Sequence, residues 1–389
     1  MKMNMVSMAL IGICLSTVTA ARGAPFDSGS TGSHGAFNPT ASTNLILPPD
    51  GIFHFTTVNI PNGVGVGFIR NALNTPVYIL AQSNVVINGT LDLPGGHSSL
   101  SNPGRGGPGG FDGGFGAVQT YPPSDGQGPG GGKITNSYSG VFGLPKGQNS
   151  NVYGNTLLVP LIGGSGGAGG TDGNGGGGGG GAIVIASNTR ITITYRGGGG
   201  NPYNIYAYGG NCGGAAGIGG AGSGGGVRLV APVVDGTGSI AVYGGGASNV
   251  NFQGGAGRIR IDTLDRHAWQ TLNVDDFGAK WTVGSQMYVF PPGNPRLDIV
   301  EAAGQTIPEG TNGPVSVLLP PGTSTNQIVK VKATGFTNDV PVTVAITPEA
   351  GRSKRFNALI AVSGQNPVIS SINVEIPDDS FCHVHVWTR

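Results

Sequence analysis

The chain has 389 residues, 76 of them Gly, with 10% charged residues and a formal net charge of +1. An apolar fraction of 38% at almost no net charge excludes a disordered chain, which combines low hydrophobicity with high net charge. No Lys/Arg field is available to neutralise phosphates, which excludes nucleic acid as a partner, and no strict Gly-X-Y period runs along the chain, which excludes collagen.

The N-terminus reads as a signal peptide. Lys2 supplies the positive n-region, and Met5 to Leu15 is apolar but too short to span a bilayer. Val18-Thr19-Ala20 offers a small-x-small cleavage site, with Ala24 a later one. The expected location is extracellular or at the cell surface, through the general secretory route, with no membrane span after cleavage. Ile13 is too large for the residue before a lipidated cysteine, so Cys14 does not mark a lipoprotein. Cys212 and Cys382 are far apart and fall in different expected domains, so they are read as separate thiols rather than a disulfide framework.

From about residue 45 the chain alternates β-rich runs with Gly, Pro and Asn. Residues 53–60, 64–69, 77–81 and 84–93 are read as strands by their β-branched and aromatic content. An internal repeat follows. Val77 to Ala81 leads to Gly89 to Leu93 and then Gly95-Gly96; Val227 to Ala231 leads to Gly238 to Val242 and then Gly244-Gly245; Ala182 to Ala186 leads to Ile205 to Tyr208. Gly257 to Ile261 begins a looser copy. One such unit cannot bury its apolar strand faces alone, and stacked neighbours can. The expected fold is all-β: a Gly-rich β-solenoid-like domain (β-helix or layered β) over residues 25–290, with a sandwich carrying long loops as the alternative.

The Gly tracts have a period. Between Gly210 and Gly225 every third residue is Gly except Ala216, and 14 of the 19 residues from Gly163 to Gly181 are Gly. A three-residue period belongs to an extended left-handed helix whose amides point outward. Ordered side-by-side packing is expected over a flexible linker, provided that a neighbouring surface offsets the entropy of ordering Gly.

Composition shifts at Pro291-Pro292-Gly293-Asn294-Pro295, read as a linker. Glu is absent before it and appears at 301, 309, 349 and 375 after it. Alternating runs at 315–319, 328–333, 340–346, 356–362, 368–376 and 382–387 predict an immunoglobulin-like or fibronectin-like sandwich over residues 296–389.

The search for chemistry yields few candidates. Gly128 to Thr135 has Ile134 where a phosphate-binding loop needs Ser or Thr after its Lys. Asp172 stands alone in its Gly run, short of a repeated calcium motif, and Gly222-Ser223-Gly224 lies inside a Gly tract rather than at a strand-to-helix elbow. His383 and His385 share a strand face but lack the further ligand zinc requires, so no metal or cofactor is expected. The densest charged segment is Arg258, Arg260, Asp262, Asp265 and His267, followed by Asp275 and Asp276. Alternation puts Arg258, Arg260 and Asp262 on one strand face. If the protein is an enzyme, this is where paired acids and an Arg would act on a polysaccharide; structural ion pairing is the favoured reading. Tyr206 and Tyr208 alternate on one face and Tyr243 takes a similar place in the next unit, so these three form the candidate ligand face, with Tyr195 and Tyr203 nearby. Ile191-Thr192-Ile193-Thr194 hints at an ice-binding array.

Gly224 to Ala231, Gly236 to Ile240, Gly244 to Gly246 and Gly254 to Ile261, with Gly35 to Thr40 and Leu47 to Gly51 near the start, resemble the phrases of Gly-rich bacterial secreted β-repeat proteins. The likeness covers about residues 29 to 270 and implies fold and export rather than activity. The Gly-Gly-x tracts are similar to the polyglycine bundles of some antifreeze proteins and phage tip adhesins. The expected function is that of a secreted, non-enzymatic surface or matrix protein that adheres or self-associates, with an extracellular polysaccharide as the other candidate partner. A carbohydrate-active lyase or hydrolase, and a glycan- or ice-binding protein, are the alternatives.

Overall fold

The computed structural model describes residues 26–134, 153–194, 203–213, 219–247, 252–274, 279–308, 311, 314–362 and 364–388. The expected signal peptide, Tyr195, Asp275 and Asp276 lie outside the described residues. The fold is all-β, and among the described residues a 3-10 turn over Ala268–Thr271 interrupts the strands.

Residues 43 to 284 build three parallel sheets. The first holds β2 (Ile52–Phe55), β5 (Val77–Ala81), β8 (Ala182–Ser187), β11 (Gly226–Ala231), β14 (Arg258–Thr263) and β15 (Lys280–Gly284), in that spatial order. The second holds β3 (Val58–Ile60), β6 (Val85–Ile87), β9 (Arg190–Ile193) and β12 (Val233–Gly236). The third holds β1 (Thr43–Ile46), β4 (Gly65–Ile69), β7 (Thr90–Asp92), β10 (Ile205–Tyr206) and β13 (Ile240–Ala241). From β2 to β13 the chain visits the first, second and third sheets in turn, four times over.

Parallel register stacks like residues on like. Phe53, Ile79, Ile185, Leu229 and Ile261 are successive partners in the first sheet. Val58, Val85, Ile191 and Val234 line up in the second, and Val66, Leu91, Ile205 and Ile240 in the third. These columns meet in one buried core. Each fully buried Ile or Leu contributes roughly 1.5–3 kcal/mol over exposure.

The repeat unit has three strands where sequence periodicity suggests two. The run 53–60 bends at Thr56-Thr57 into β2 and β3, and 84–93 bends at Asn88-Gly89 into β6 and β7. Phe53 and Phe55 face inward before the bend, Val58 and Ile60 after it, so the alternation slips phase by one residue at the corner. At Gly89 a side chain would overlap the Val64 and Pro61 carbonyls.

The Gly tracts pack on one another. Residues 175–181 form the centre. Their amides donate in a threefold rotation: Gly176 and Gly179 to Gly114 and Phe111, Gly177 and Gly180 to Gly220 and Ser223, Gly178 and Gly181 to Gly96 and Leu93, at 2.8–3.0 Å. Their carbonyls accept in the same rotation, from Gly104 and Gly107, from Gly167 and Gly164, and from Gly210 and Gly226. The period of three in the sequence is thus the period with which successive peptide groups face successive neighbours. A side chain has no room: a Cβ on Gly177, Gly178, Gly179 or Gly222 would overlap a neighbouring backbone carbonyl.

Residues 296 to 388 form two antiparallel sheets. β17 (Gln305–Thr306), β16 (Arg296–Ala302), β18 (Asn326–Thr334) and β21 (Val368–Glu375) make one, in that order; β20 (Lys354–Ile360), β19 (Val340–Pro348) and β22 (Cys382–Thr388) make the other. Val329, Val331, Val342, Val344, Ile372 and Val374 share a second buried core. The run 315–319, expected as a strand, is not one: Pro314 on one side and Pro320-Pro321 on the other cannot donate to a ladder and so keep it from extending beyond five residues, and Leu318 is 91% exposed. β16 takes the pairing place instead, with Leu297 and Ile299 packed on the core.

These sheets dock on the Gly layer. The buried Asp125 carboxylate accepts from Lys133 Nζ at 2.8 Å, the Ile134 amide at 2.8 Å, and the Ser353 amide and hydroxyl at 2.9 and 3.1 Å. Lys133 Nζ also donates to Ser353 Oγ. Phe111 meets His385 and Trp387 edge-on, and the Arg355 guanidinium lies over Trp387, 5.7 Å from its ring centroid. The Lys of the rejected phosphate-loop candidate is therefore a docking residue.

Candidate functional site

The charged segment divides on folding. Arg260 and Asp262 do share a face of β14, and it is the outer face of the first sheet, covered by residues 286–290. Asp262 is fully buried. Its Oδ2 accepts from Arg228 at 3.0–3.1 Å, and its Oδ1 accepts from Arg260 at 2.6 and 3.0 Å and from the Gln286 amide at 3.0 Å. Arg228 spends its remaining donors on the Gln286, Tyr288 and Val289 carbonyls and sits 5.2 Å from the Tyr288 ring centroid. Gly284 makes room for the Arg260 guanidinium. Two guanidiniums in adjacent register would repel without the carboxylate between them. The arrangement clamps the chain that leads to β16 onto the sheet.

The other charged candidates are elsewhere. Asp265 and His267 are exposed on the turn after β14. The Asp265 carboxylate accepts the His267 and Ala268 amides, which hold it below the usual carboxylate range. Arg258 is half-buried and lies near Tyr153, whose hydroxyl is pushed up by burial. Arg228, the partner that sequence reasoning missed, occupies the repeat position of Arg260, and that correspondence was its signal.

The tyrosines come together on the outer face of the third sheet. Tyr208 and Tyr243 stack at 5.2 Å with planes 6° apart, and Tyr203 and Tyr206 meet edge-to-face at 5.6 Å. Tyr203 and Tyr206 are buried, and Tyr208 and Tyr243 are half-buried. Along the register Tyr206 follows Asp92, Gly67 and Asn44. Burial and the Asp92 carboxylate push the Tyr208 hydroxyl up.

A cavity of about 600 Å³ opens on that same face, over β1, β4 and β7. Its floor exists because β4 presents Gly65 and Gly67 outward, leaving bare backbone between Asn44 and Asp92. One wall is the loop after β7, including Arg105 and Gly106. Arg70 braces this wall by pairing with Asp112 at 2.6 Å and donating to the Gly106 carbonyl at 2.9 Å. Asp112 also accepts the Gly106 amide, and its carboxyl lies below the usual range: burial raises it, but the Arg70 and Gly106 donors outweigh that. Asn44 and Arg105 were not singled out from sequence; Asp92 was legible as the residue preceding Tyr206 in the repeat.

Other motifs take structural places. The outward column of the second sheet reads Asn59, Val86, Thr192 and Asp235, and Thr192 donates to Asp235 at 2.7 Å, so Thr192 belongs to a mixed column rather than a Thr array. His383 and His385 stack at 6.3 Å. Cys212 and Cys382 are not joined to each other. Among the described residues no group of three metal-ligating side chains occurs, and no helix is long and apolar enough to cross a membrane. No family model matches the sequence, and neither the curated proteins nor the solved structures yield a significant match.

Proposed function

We propose that this is a secreted, non-enzymatic adhesive protein of the cell surface, which binds an extracellular polysaccharide along the outer face of its third sheet. The body is a β-solenoid stiffened by a polyglycine bundle, and the C-terminal sheets form an immunoglobulin-like sandwich docked on that bundle. The observation that carries the reading is the continuity of one face: the polar cavity over Asn44, Gly67 and Asp92 runs in register into the tyrosine cluster. Sugars need polar groups for their hydroxyls and aromatic faces for their apolar C–H surfaces. A preformed face on a rigid scaffold lowers the ordering cost of binding.

The enzymatic alternative draws on Asp262, Asp265, His267, Asp275 and Asp276 with Arg258 or Arg260; of these, Asp262 has its carboxylate saturated by two guanidiniums and an amide and is covered by residues 286–290, while Asp265 and His267 stand on an exposed turn. That geometry suits anchoring better than proton transfer. The test is retention of the mature protein on immobilised polysaccharides, with the eluate assayed for new reducing ends and unsaturated products. Retention without products supports adhesion, and product formation overturns it. Mass spectrometry of the exported chain checks the expected cleavage after Ala20 or Ala24.

A further inference from the structure

We infer that the cavity on the third sheet selects acidic oligosaccharides, with Arg105 pairing with the carboxylate of a uronic acid unit; this rests on the glycan-binding reading of that face. The groups around the cavity are of opposite kinds. Arg105 is exposed at the rim, and its backbone is fixed by the Gly96 amide, which donates to its carbonyl at 2.6 Å. The neighbouring cation, Arg70, is committed to Asp112 and the Gly106 carbonyl, which leaves Arg105 as the guanidinium presented to a ligand. On the floor Asp92 and Asn44 supply acceptors, and Ser42 adds a hydroxyl.

A ligand matched to this set must offer a planar anion to one wall and hydroxyl donors to the floor, a short distance apart. A guanidinium recognises a carboxylate through two parallel N–H···O bonds. A carboxylate on the floor accepts hydrogen bonds from sugar hydroxyls. A uronic acid carries one carboxylate and several hydroxyls on one ring. The stacked Tyr208 and Tyr243, beside the Tyr206 that pairs in register with Asp92, extend the site to a further ring. The cavity volume of about 600 Å³ falls within the ~300–1,000 Å³ of small-ligand sites.

The experiment is calorimetric titration of the mature chain with tetragalacturonate and with cellotetraose, for the wild type, Arg105→Ala, Arg105→Lys and Gly67→Leu. Arg105 is exposed, so its truncation leaves the core intact. A Cβ on Gly67 would meet the end of the Asn44 side chain rather than backbone, so a Leu there fills the cavity while the strand keeps its place; a melting curve verifies folding. The expected result is binding of the uronate that Arg105→Ala weakens by about tenfold or more, that Arg105→Lys restores only in part, and that Gly67→Leu abolishes. Equal affinity for both tetrasaccharides with no effect of Arg105→Ala overturns acidic selectivity and leaves glycan adhesion standing. Tetrasaccharides that do not bind, while polysaccharide columns still retain the protein, place adhesion elsewhere on the surface and overturn this site. Failure of retention as well overturns both readings.

Discussion

Replacing Gly178 by Ala tests whether the Gly tracts are a packed layer. A Cβ there would overlap the Arg105 carbonyl and stand 2.8 Å from the Gly106 amide nitrogen. Ordinary contact begins near 3.4 Å, so the 104–107 segment must retreat by more than half an ångström. That segment is held by Gly104 and Gly107 amides donating at 2.8 and 2.9 Å to Gly176 and Gly179. Two hydrogen bonds near 1 kcal/mol each weaken, and forced overpacking costs ~1–3 kcal/mol. Restricting the unfolded chain returns ~0.4–1 kcal/mol. The expected net loss is about 2–4 kcal/mol. Gly255 is the matched control: it is exposed, and a Cβ there meets nothing within 4 Å, so Gly255→Ala is expected to be neutral or slightly stabilising. Guanidinium unfolding followed by far-UV circular dichroism compares the two. If the variants agree within about 0.5 kcal/mol, the tracts are not packed as described and the polyglycine bundle falls.

Three further outcomes follow from named groups. Asp262→Asn leaves Arg228 and Arg260 facing each other without their shared carboxylate, and a loss of about 3–5 kcal/mol in unfolding free energy is expected; a loss below 1 kcal/mol refutes the clamp. His385 has its pKa lowered from 6.5 to about 4, by burial and then by His383, with Asp112 opposing, and its buried Nδ1 has no hydrogen-bond partner. The unfolded state therefore binds more protons between pH 6.5 and 4, so this contribution to stability is whole above pH 6.5 and falls by roughly 3 kcal/mol toward pH 4; His385→Leu should flatten the pH profile in that window, and an unchanged profile sinks the assignment. Cys382 is pushed up to about 11 by burial, with Asp379 and Glu349 adding to the shift, so alkylation by iodoacetamide at pH 8, followed by mass spectrometry, should run about a hundredfold slower than that of an unperturbed thiol.

What could be read in the sequence was whatever one strand reports about itself. Val77 to Ala81 and Val340 to Ile346 carry their β character locally, and both are strands in the fold. The corner at Asn88-Gly89 was hidden because apolar residues continue on both sides of it. The tyrosine face was legible because Tyr206, Tyr208 and Tyr243 repeat in phase. Arg105 was not, because it reaches the cavity from a loop whose path is set by hydrogen bonds to Gly96 and Gly176, and no periodicity encodes such contacts.

The Gly layer also explains why the cavity wall can be trusted to hold a charge in place. Gly104 donates to Gly176 and Gly107 to Gly179, on either side of Arg105, and the Arg70–Asp112 pair fastens Gly106 from the solvent side. The same central tract accepts from Gly210, just beyond Tyr208. The two ends of the proposed binding face, the guanidinium and the tyrosine stack, are thus tied to one stretch of seven glycines. Loosening that stretch, as Gly178→Ala does, is expected to weaken tetragalacturonate binding although no contact residue has changed. An affinity that stays at the wild-type value while stability drops would show that the face is held by the third sheet alone, and calorimetry on the folded fraction of Gly178→Ala separates the two.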